Sequence, residues 1–96
     1  MPIDYAMAQR EMPKLKGALT RAQKSGDPLK VLDAVERALD AFDRFGAWPD
    51  NWSLWRRAFD DAFFAWSRSE ARDDDVFDNG GKTLARWHAV GDRFAF

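Results

Sequence analysis

Residues 46–66 read GAWPDNWSLWRRAFDDAFFAW, and this stretch decides the fold. Four of the five tryptophans of the chain lie in it. Its large apolar side chains recur at spacings of 3, 4, 4 and 3, at Trp52, Trp55, Phe59, Phe63 and Trp66. At 100° per residue these positions fall within about 80° of one helix face. Burial removes on the order of 150–250 Å² of each ring from water, so we predict that the rest of the chain is organised around this face.

The length and composition are those of one small folded domain spanning residues 1–96. Hydrophobic residues make up 46% of the chain and aromatic residues 15%, which excludes general disorder. The 15 basic and 16 acidic side chains give a net charge of −1, so no global field draws the protein to phosphates or to an anionic membrane. The absence of cysteine excludes disulfides and thiolate metal sites.

Two further absences bear on localisation. No apolar run approaches the roughly 18 residues of a membrane span. Residues 1–5 also lack the basic and apolar regions of a signal peptide. We therefore expect a cytoplasmic protein without a membrane partner.

The first half of the chain predicts two helices. Residues 4–24 carry a continuous apolar seam at Tyr5, Ala8, Met12, Leu15, Leu19 and Ala22. Asp4 suits the N-cap, and Pro13 either bends this helix or breaks it. Gly26, Asp27 and Pro28 mark a boundary, and a second helix follows over 28–45. Its apolar face comprises Leu29, Leu32, Val35, Leu39, Phe42 and Phe45.

Ion pairs between residues four apart are expected on the outer faces of the second and third helices. They are Asp33 with Arg37, Asp40 with Arg44, Arg57 with Asp61, and Asp60 with Arg56 or Arg57. The third helix is predicted over 51–72, capped by Asp50 or Asn51, with Trp48 folding back onto it.

The last quarter of the chain predicts an acidic, glycine-containing loop over 73–81 and a short helix over 82–90. Asn79-Gly80 leaves a hairpin open as the alternative for 76–90. Gly91 is expected to end the helix. The fold class that follows is all-α: an antiparallel three-helix bundle with a short additional C-terminal helix.

Motifs that carry chemistry are incomplete in this sequence. Gly80-Gly81-Lys82-Thr83 resembles the end of a phosphate-binding loop, but Val76 stands where that loop needs glycine. The acidic loop lacks two of the ligands that a calcium loop requires. His88 is the only histidine, and no glycine elbow surrounds a serine. We predict no enzyme activity, no catalytic residues, no metal site and no cofactor.

Some apolar residues lie outside the aromatic face of the third helix. Leu54 projects nearly opposite to it, Phe64 lies about 120° away, and Phe94 and Phe96 follow the fourth helix. If the fourth helix covers them they are core; if it does not, they form an exposed patch rimmed by charges. The predicted partner-binding residues are Leu54, Arg57, Asp61, Phe64, Arg68, Phe94 and Phe96.

Residues 48–62 also carry the pattern Pro-Asp-x-Trp-x-x-Trp-x-x-Ala-x-Asp-Asp-Ala. This pattern resembles small uncharacterised helical proteins of actinobacteria and their phages. The resemblance implies a setting in which a phage or prophage accessory protein binds and modulates a host protein. We therefore predict a protein–protein interaction module. The alternatives are a nucleic-acid-binding protein that uses Arg56, Arg57, Arg68 and Arg86, and a homo-oligomeric structural component such as a homodimer.

Overall fold

The structure is a computed structural model that describes residues 3–46, 48–69 and 80–95. Over these ranges it contains four α-helices: α1 (Tyr5–Ser25), α2 (Pro28–Phe45), α3 (Trp52–Ser67) and α4 (Gly80–Asp92). Helices α1, α2 and α3 form an antiparallel three-helix bundle, and α4 is the additional C-terminal helix. The all-α prediction is therefore confirmed.

Helix α1 runs unbroken through Pro13, so this segment is one helix, and the alternative of a break does not hold. Pro13 lies on the exposed side, where water satisfies the carbonyl that its missing N–H leaves unpaired. Asp4 caps the helix, since its Oδ1 accepts a hydrogen bond of 2.9 Å from the Met7 amide. Tyr5, predicted on the buried seam, is 70% exposed because it lies in the first turn.

The turn between α1 and α2 contains the capping residues that the sequence predicts. Gly26 ends α1 in the left-handed region at φ 75°, a conformation that other residues rarely adopt. Asp27 accepts a hydrogen bond of 3.0 Å from the Leu29 amide, and Pro28 opens α2. This short connection fixes α2 antiparallel to α1.

Helix α2, rather than the aromatic helix α3, is the centre of the bundle. It packs against both α1 and α3, and its acidic side chains pair with α4. Alanines at positions 34, 38 and 41 are buried together with the predicted apolar face, which lets α1 approach closely. The aromatic face of α3 covers only one side of α2, so the expectation that residues 46–66 organise the chain was wrong in this respect.

Helix α3 buries the face that the spacing of its aromatic residues predicts. Trp55, Phe59 and Trp66 are buried, while Trp52 and Phe63 are half-buried. Asn51 occupies the cap position without a side-chain hydrogen bond. In the preceding turn, Trp48 packs edge-on against Trp52, as predicted, with ring centroids 6.4 Å apart.

Helix α3 ends at Ser67, earlier than the predicted residue 72, which lies outside the described residues. Two serine hydroxyls donate hydrogen bonds to backbone carbonyls of the last turn. Ser67 donates to the Phe64 carbonyl at 2.8 Å, and Ser69 donates to the Trp66 carbonyl at 2.8 Å. Serine side chains that bond to nearby backbone in this way compete with helix continuation.

Helix α4 begins before the predicted residue 82 and ends after the predicted residue 90. Residues 80–92 are therefore helical, which excludes the hairpin there; residues 70–79, with most of the predicted acidic loop, lie outside the described ranges. Gly91 does not stop the helix. A Cβ at this position would lie 3.1 Å from Cζ of Phe59, so the glycine serves a close approach between α4 and α3.

Aromatic side chains fill the space between α4 and α3. Trp87 is fully buried, with its ring centroid 5.5 Å from that of Phe59, 5.3 Å from Phe63 and 5.7 Å from Trp66. Because these rings lie between the two helices, the backbones of α3 and α4 come close at few places other than Gly91.

Candidate protein-binding surface

Five of the predicted partner-binding residues form one exposed line along α3. We call this line the α3 stripe: Leu54, Arg57, Asp61, Phe64 and Arg68. Their spacings of 3, 4, 3 and 4 place them within about 80° of the helix surface, on the side opposite to the buried aromatic face. All five side chains are exposed. One helix therefore packs the core with one face and presents a mixed apolar and charged line with the other.

Leu54 and Phe64 are the apolar members of the α3 stripe. Leu54 is 49% exposed and Phe64 is 60% exposed. Among the described residues, the other large apolar side chains with such exposure are Ile3 and Tyr5, which lie at the start of α1. The exposed apolar surface of α3 thus belongs to the α3 stripe.

Phe94 does not belong to this surface, which corrects the sequence prediction. It is 2% exposed, and its ring centroid lies 5.7 Å from those of Trp48 and Phe59. A turn after α4, in which the Phe94 amide donates to the Gly91 carbonyl at 3.0 Å, directs the ring into the core. Phe96 lies outside the described residues.

Arg57 and Asp61 make no ion pair within the described residues, although the sequence predicts one between them. Their neighbours do: Nε of Arg56 lies 3.3 Å from Oδ2 of Asp60, which confirms that pair. On the α3 stripe, an exposed Arg and an exposed Asp one turn apart thus have no ion-pair partner among the described residues.

Arg68 covers part of the Phe64 ring. The guanidinium carbon lies 5.0 Å from the ring centroid, within the range of a cation–π contact. The contact orients both side chains at the C-terminal end of the α3 stripe and leaves the ring 60% exposed.

A cavity of about 240 Å³ opens beside Leu54, between α3 and α1. Its other lining residues come from α1: Lys16, Leu19, Thr20 and Gln23. Leu19 is 3% exposed and forms the apolar floor. No local sequence pattern indicates this recess, because it depends on how far α1 and α3 stand apart when both pack on α2.

Arg86 of α4, and Arg93 in the turn after it, pair with acidic side chains of α2. Arg86 hydrogen-bonds Asp33 and, at 3.1 Å, Glu36. Arg93 bonds Asp40 and Asp43, each at 2.7 Å. The predicted pairs of Asp33 with Arg37 and of Asp40 with Arg44 are not among the ion pairs of the described residues. Arg86 and Arg93 each reach two carboxylates at once, whereas a neighbour on α2 reaches one.

These contacts raise the pKa of both arginines. Partial burial acts to lower the pKa of Arg86, but its hydrogen bonds to Asp33 and Glu36 outweigh that effect. Partial burial also acts to lower the pKa of Arg93, but its hydrogen bonds to Asp40 and Asp43 outweigh that effect. Both guanidinium groups stay charged at any ordinary pH, and salt screens these exposed pairs.

The arginines predicted for nucleic-acid binding do not form one basic face. Arg86 is held by two carboxylates of α2, and Arg56 is paired with Asp60. On the α3 stripe, Asp61 lies between Arg57 and Arg68. An acidic side chain thus lies beside each of these four arginines, and they do not present an uninterrupted basic surface to phosphates.

No cluster of three metal-ligating side chains occurs in the part of the chain that the structure describes. His88 is exposed, with its ring centroid 5.9 Å from that of Phe63. None of the helices in the described ranges is both long enough and apolar enough to cross a membrane.

No family model, curated protein or solved structure matches the chain. The α3 stripe therefore has to be interpreted from its own geometry.

Proposed function

We propose that this chain is a small protein–protein interaction module that binds its partner through the α3 stripe. The observation that carries the proposal is the exposure of Leu54 and Phe64 on a helix whose opposite face is already buried. The core does not need these two side chains, and their exposure leaves apolar surface in contact with water. A partner that covers them removes this apolar surface from water, which favours binding.

The composition of the α3 stripe is that of an interface centre with charged surroundings. Aromatic and arginine side chains are enriched at protein interfaces relative to the rest of the surface, and Phe64 with Arg68 over its ring is such a pair. Arg57 and Asp61 add one charge of each sign, and neither has an ion-pair partner among the residues that the structure describes. Charges placed in this way select the partner and its orientation more than they add affinity.

Two classes of partner come from the sequence analysis. The resemblance of residues 48–62 to actinobacterial and phage proteins supports a host protein as the partner, and the homo-oligomer alternative supports a second copy of the chain. The α3 stripe serves either class.

A site-specific photocrosslinker tests the proposal. The photoreactive amino acid p-benzoylphenylalanine is placed at position 64 and, as a matched control, at position 5, where Tyr5 is an equally exposed aromatic residue on α1. We expect light-dependent protein adducts in the source cell from position 64 and none from position 5. No adduct from position 64, or the same adducts from both positions, would overturn the proposal.

A further inference from the structure

Four residues of the α3 stripe, two apolar and two charged, are spaced symmetrically along the sequence on either side of Phe59. Leu54 and Phe64 each lie five residues from it, and Arg57 and Asp61 each lie two residues from it. The apolar residues thus match each other across this centre, and the basic residue matches the acidic one. A surface with this arrangement is complementary to itself after a two-fold rotation.

We infer that the partner of the α3 stripe is a second copy of this chain, bound with its α3 antiparallel to the first. This inference rests on the proposed function. The two-fold axis passes at the level of Phe59, so that Leu54 of each copy lies opposite Phe64 of the other. Arg57 of each copy lies opposite Asp61 of the other, which supplies the ion pairs that neither side chain makes within the described residues.

The spacing of these residues fits such a pairing. Alternating steps of 3 and 4 residues are those of the seam between two helices that wind around each other. An antiparallel alignment in this register brings unlike charges together, whereas a parallel in-register alignment would place Arg57 against Arg57 and Asp61 against Asp61. The sequence of charges therefore selects the antiparallel orientation.

The charges at the two ends of the antiparallel alignment are complementary as well. Asp50 and Arg68 each lie nine residues from Phe59, and both are exposed. The antiparallel alignment places Arg68 of one copy at the level of Asp50 of the other. The charge complementarity of the α3 stripe thus extends beyond its central four residues.

The recess beside Leu54 accepts the aromatic ring of the second copy. In the antiparallel register, Phe64 of one copy comes to Leu54 of the other, where the cavity of about 240 Å³ opens toward α1. Leu19 provides an apolar floor, and the hydroxyl and amide of Thr20 and Gln23 line the sides. Each copy thus supplies one ring and one recess, as a closed two-fold dimer requires.

A contact built mainly on one helix per copy is smaller than a standard stable interface. We therefore expect a dimer that dissociates in the micromolar range, with its mass dependent on protein concentration.

Charge reversal on the α3 stripe tests this inference by sedimentation equilibrium. Arg57→Asp places acid against acid in both symmetry-related pairs, and Asp61→Arg places base against base. Each variant alone should dimerise at least about tenfold more weakly than the wild type. An equimolar mixture of the two variants restores both unlike pairs, as does the double variant, so both should regain wild-type affinity. Arg44→Asp, an exposed change of the same charge on α2, should have no effect.

The result separates the inference from the proposed function. A wild type that stays monomeric at millimolar concentration, single variants that dimerise as tightly as the wild type, or a mixture no tighter than either variant would each overturn the antiparallel dimer. In any of these cases, crosslinks from position 64 to a different protein would leave the α3 stripe as a binding surface for that protein. Circular dichroism of each variant checks that it remains folded.

Discussion

The same substitution at two glycines should change stability in opposite directions. Gly17 lies inside α1 and Gly91 lies inside α4. Helix propensity alone predicts that Gly→Ala stabilises the protein at either position, by up to about 1 kcal/mol. The surroundings of the two glycines differ, because α1 is open at Gly17 whereas α4 touches α3 at Gly91.

The magnitude follows from the distances at each position. A Cβ at residue 91 would lie 3.1 Å from Cζ and 3.2 Å from Cε1 of Phe59, against about 3.5–4.0 Å for relaxed carbon contacts. The Phe59 ring cannot move aside freely, since its centroid is 5.5 Å from that of Trp87 and 5.7 Å from that of Phe94. Overpacking of this kind costs about 1–3 kcal/mol. We expect Gly91→Ala to be destabilising by up to about 2 kcal/mol after the propensity gain.

At Gly17 the nearest atom to an added Cβ is a terminal guanidinium nitrogen of Arg21, 3.3 Å away on an exposed, flexible side chain. Arg21 can move, so the propensity gain should remain. Thermal unfolding followed by circular dichroism measures both variants, and 1 kcal/mol corresponds to about 4–8 °C in a domain of this size. Equal stabilisation by Gly17→Ala and Gly91→Ala would refute the packing of α4 against Phe59.

Three further changes address other parts of the fold. Arg93→Ala removes the contacts to Asp40 and Asp43 and should cost about 1 kcal/mol in urea unfolding at low salt, with a smaller loss at about 1 M salt; a loss independent of salt would contradict an ionic origin. Trp87→Ala should cost about 3–5 kcal/mol, whereas Trp87→Phe should cost clearly less, because it retains a ring and removes a buried indole N–H without a partner among the described residues. Asp27→Ala should cost about 1 kcal/mol through loss of the α2 cap, and an unchanged midpoint would show that the Asp27 cap contributes nothing.

Local signals in the sequence predicted most of the helices. The caps at Asp4 and Asp27, the left-handed Gly26 and the phase of the aromatic residues on α3 depend on neighbours within one or two turns, and all of them hold in the structure. The same phase predicted that Leu54 and Phe64 point away from the core. Whether α4 covers these two side chains depends on where α4 lies, which helical geometry alone does not fix.

Contacts between distant segments could not be predicted in this way. Asp33 and Asp40 of α2 each have an arginine four residues away, yet their partners are Arg86 and Arg93, about 50 positions further along the chain. Gly91 has the sequence signature of a helix end, but it serves a close approach to Phe59. Phe94 is buried by a turn whose direction depends on the rings of α3. Each of these outcomes depends on how α4 lies on the bundle.

Binding of the α3 stripe to a second copy of the chain brings Leu54 of one copy against Phe64 of the other. Leu54 and Phe64 are ten residues apart, about 15 Å along the helix axis, so their side chains cannot touch within one copy. An isotope-filtered NOE experiment on a mixture of labelled and unlabelled protein at millimolar concentration measures the contact directly. We predict cross-peaks between the methyl groups of Leu54 in one copy and the ring protons of Phe64 in the other. A spectrum without these cross-peaks, from protein in which the ring of Phe64 contacts only Arg68 of its own chain, would contradict the claim.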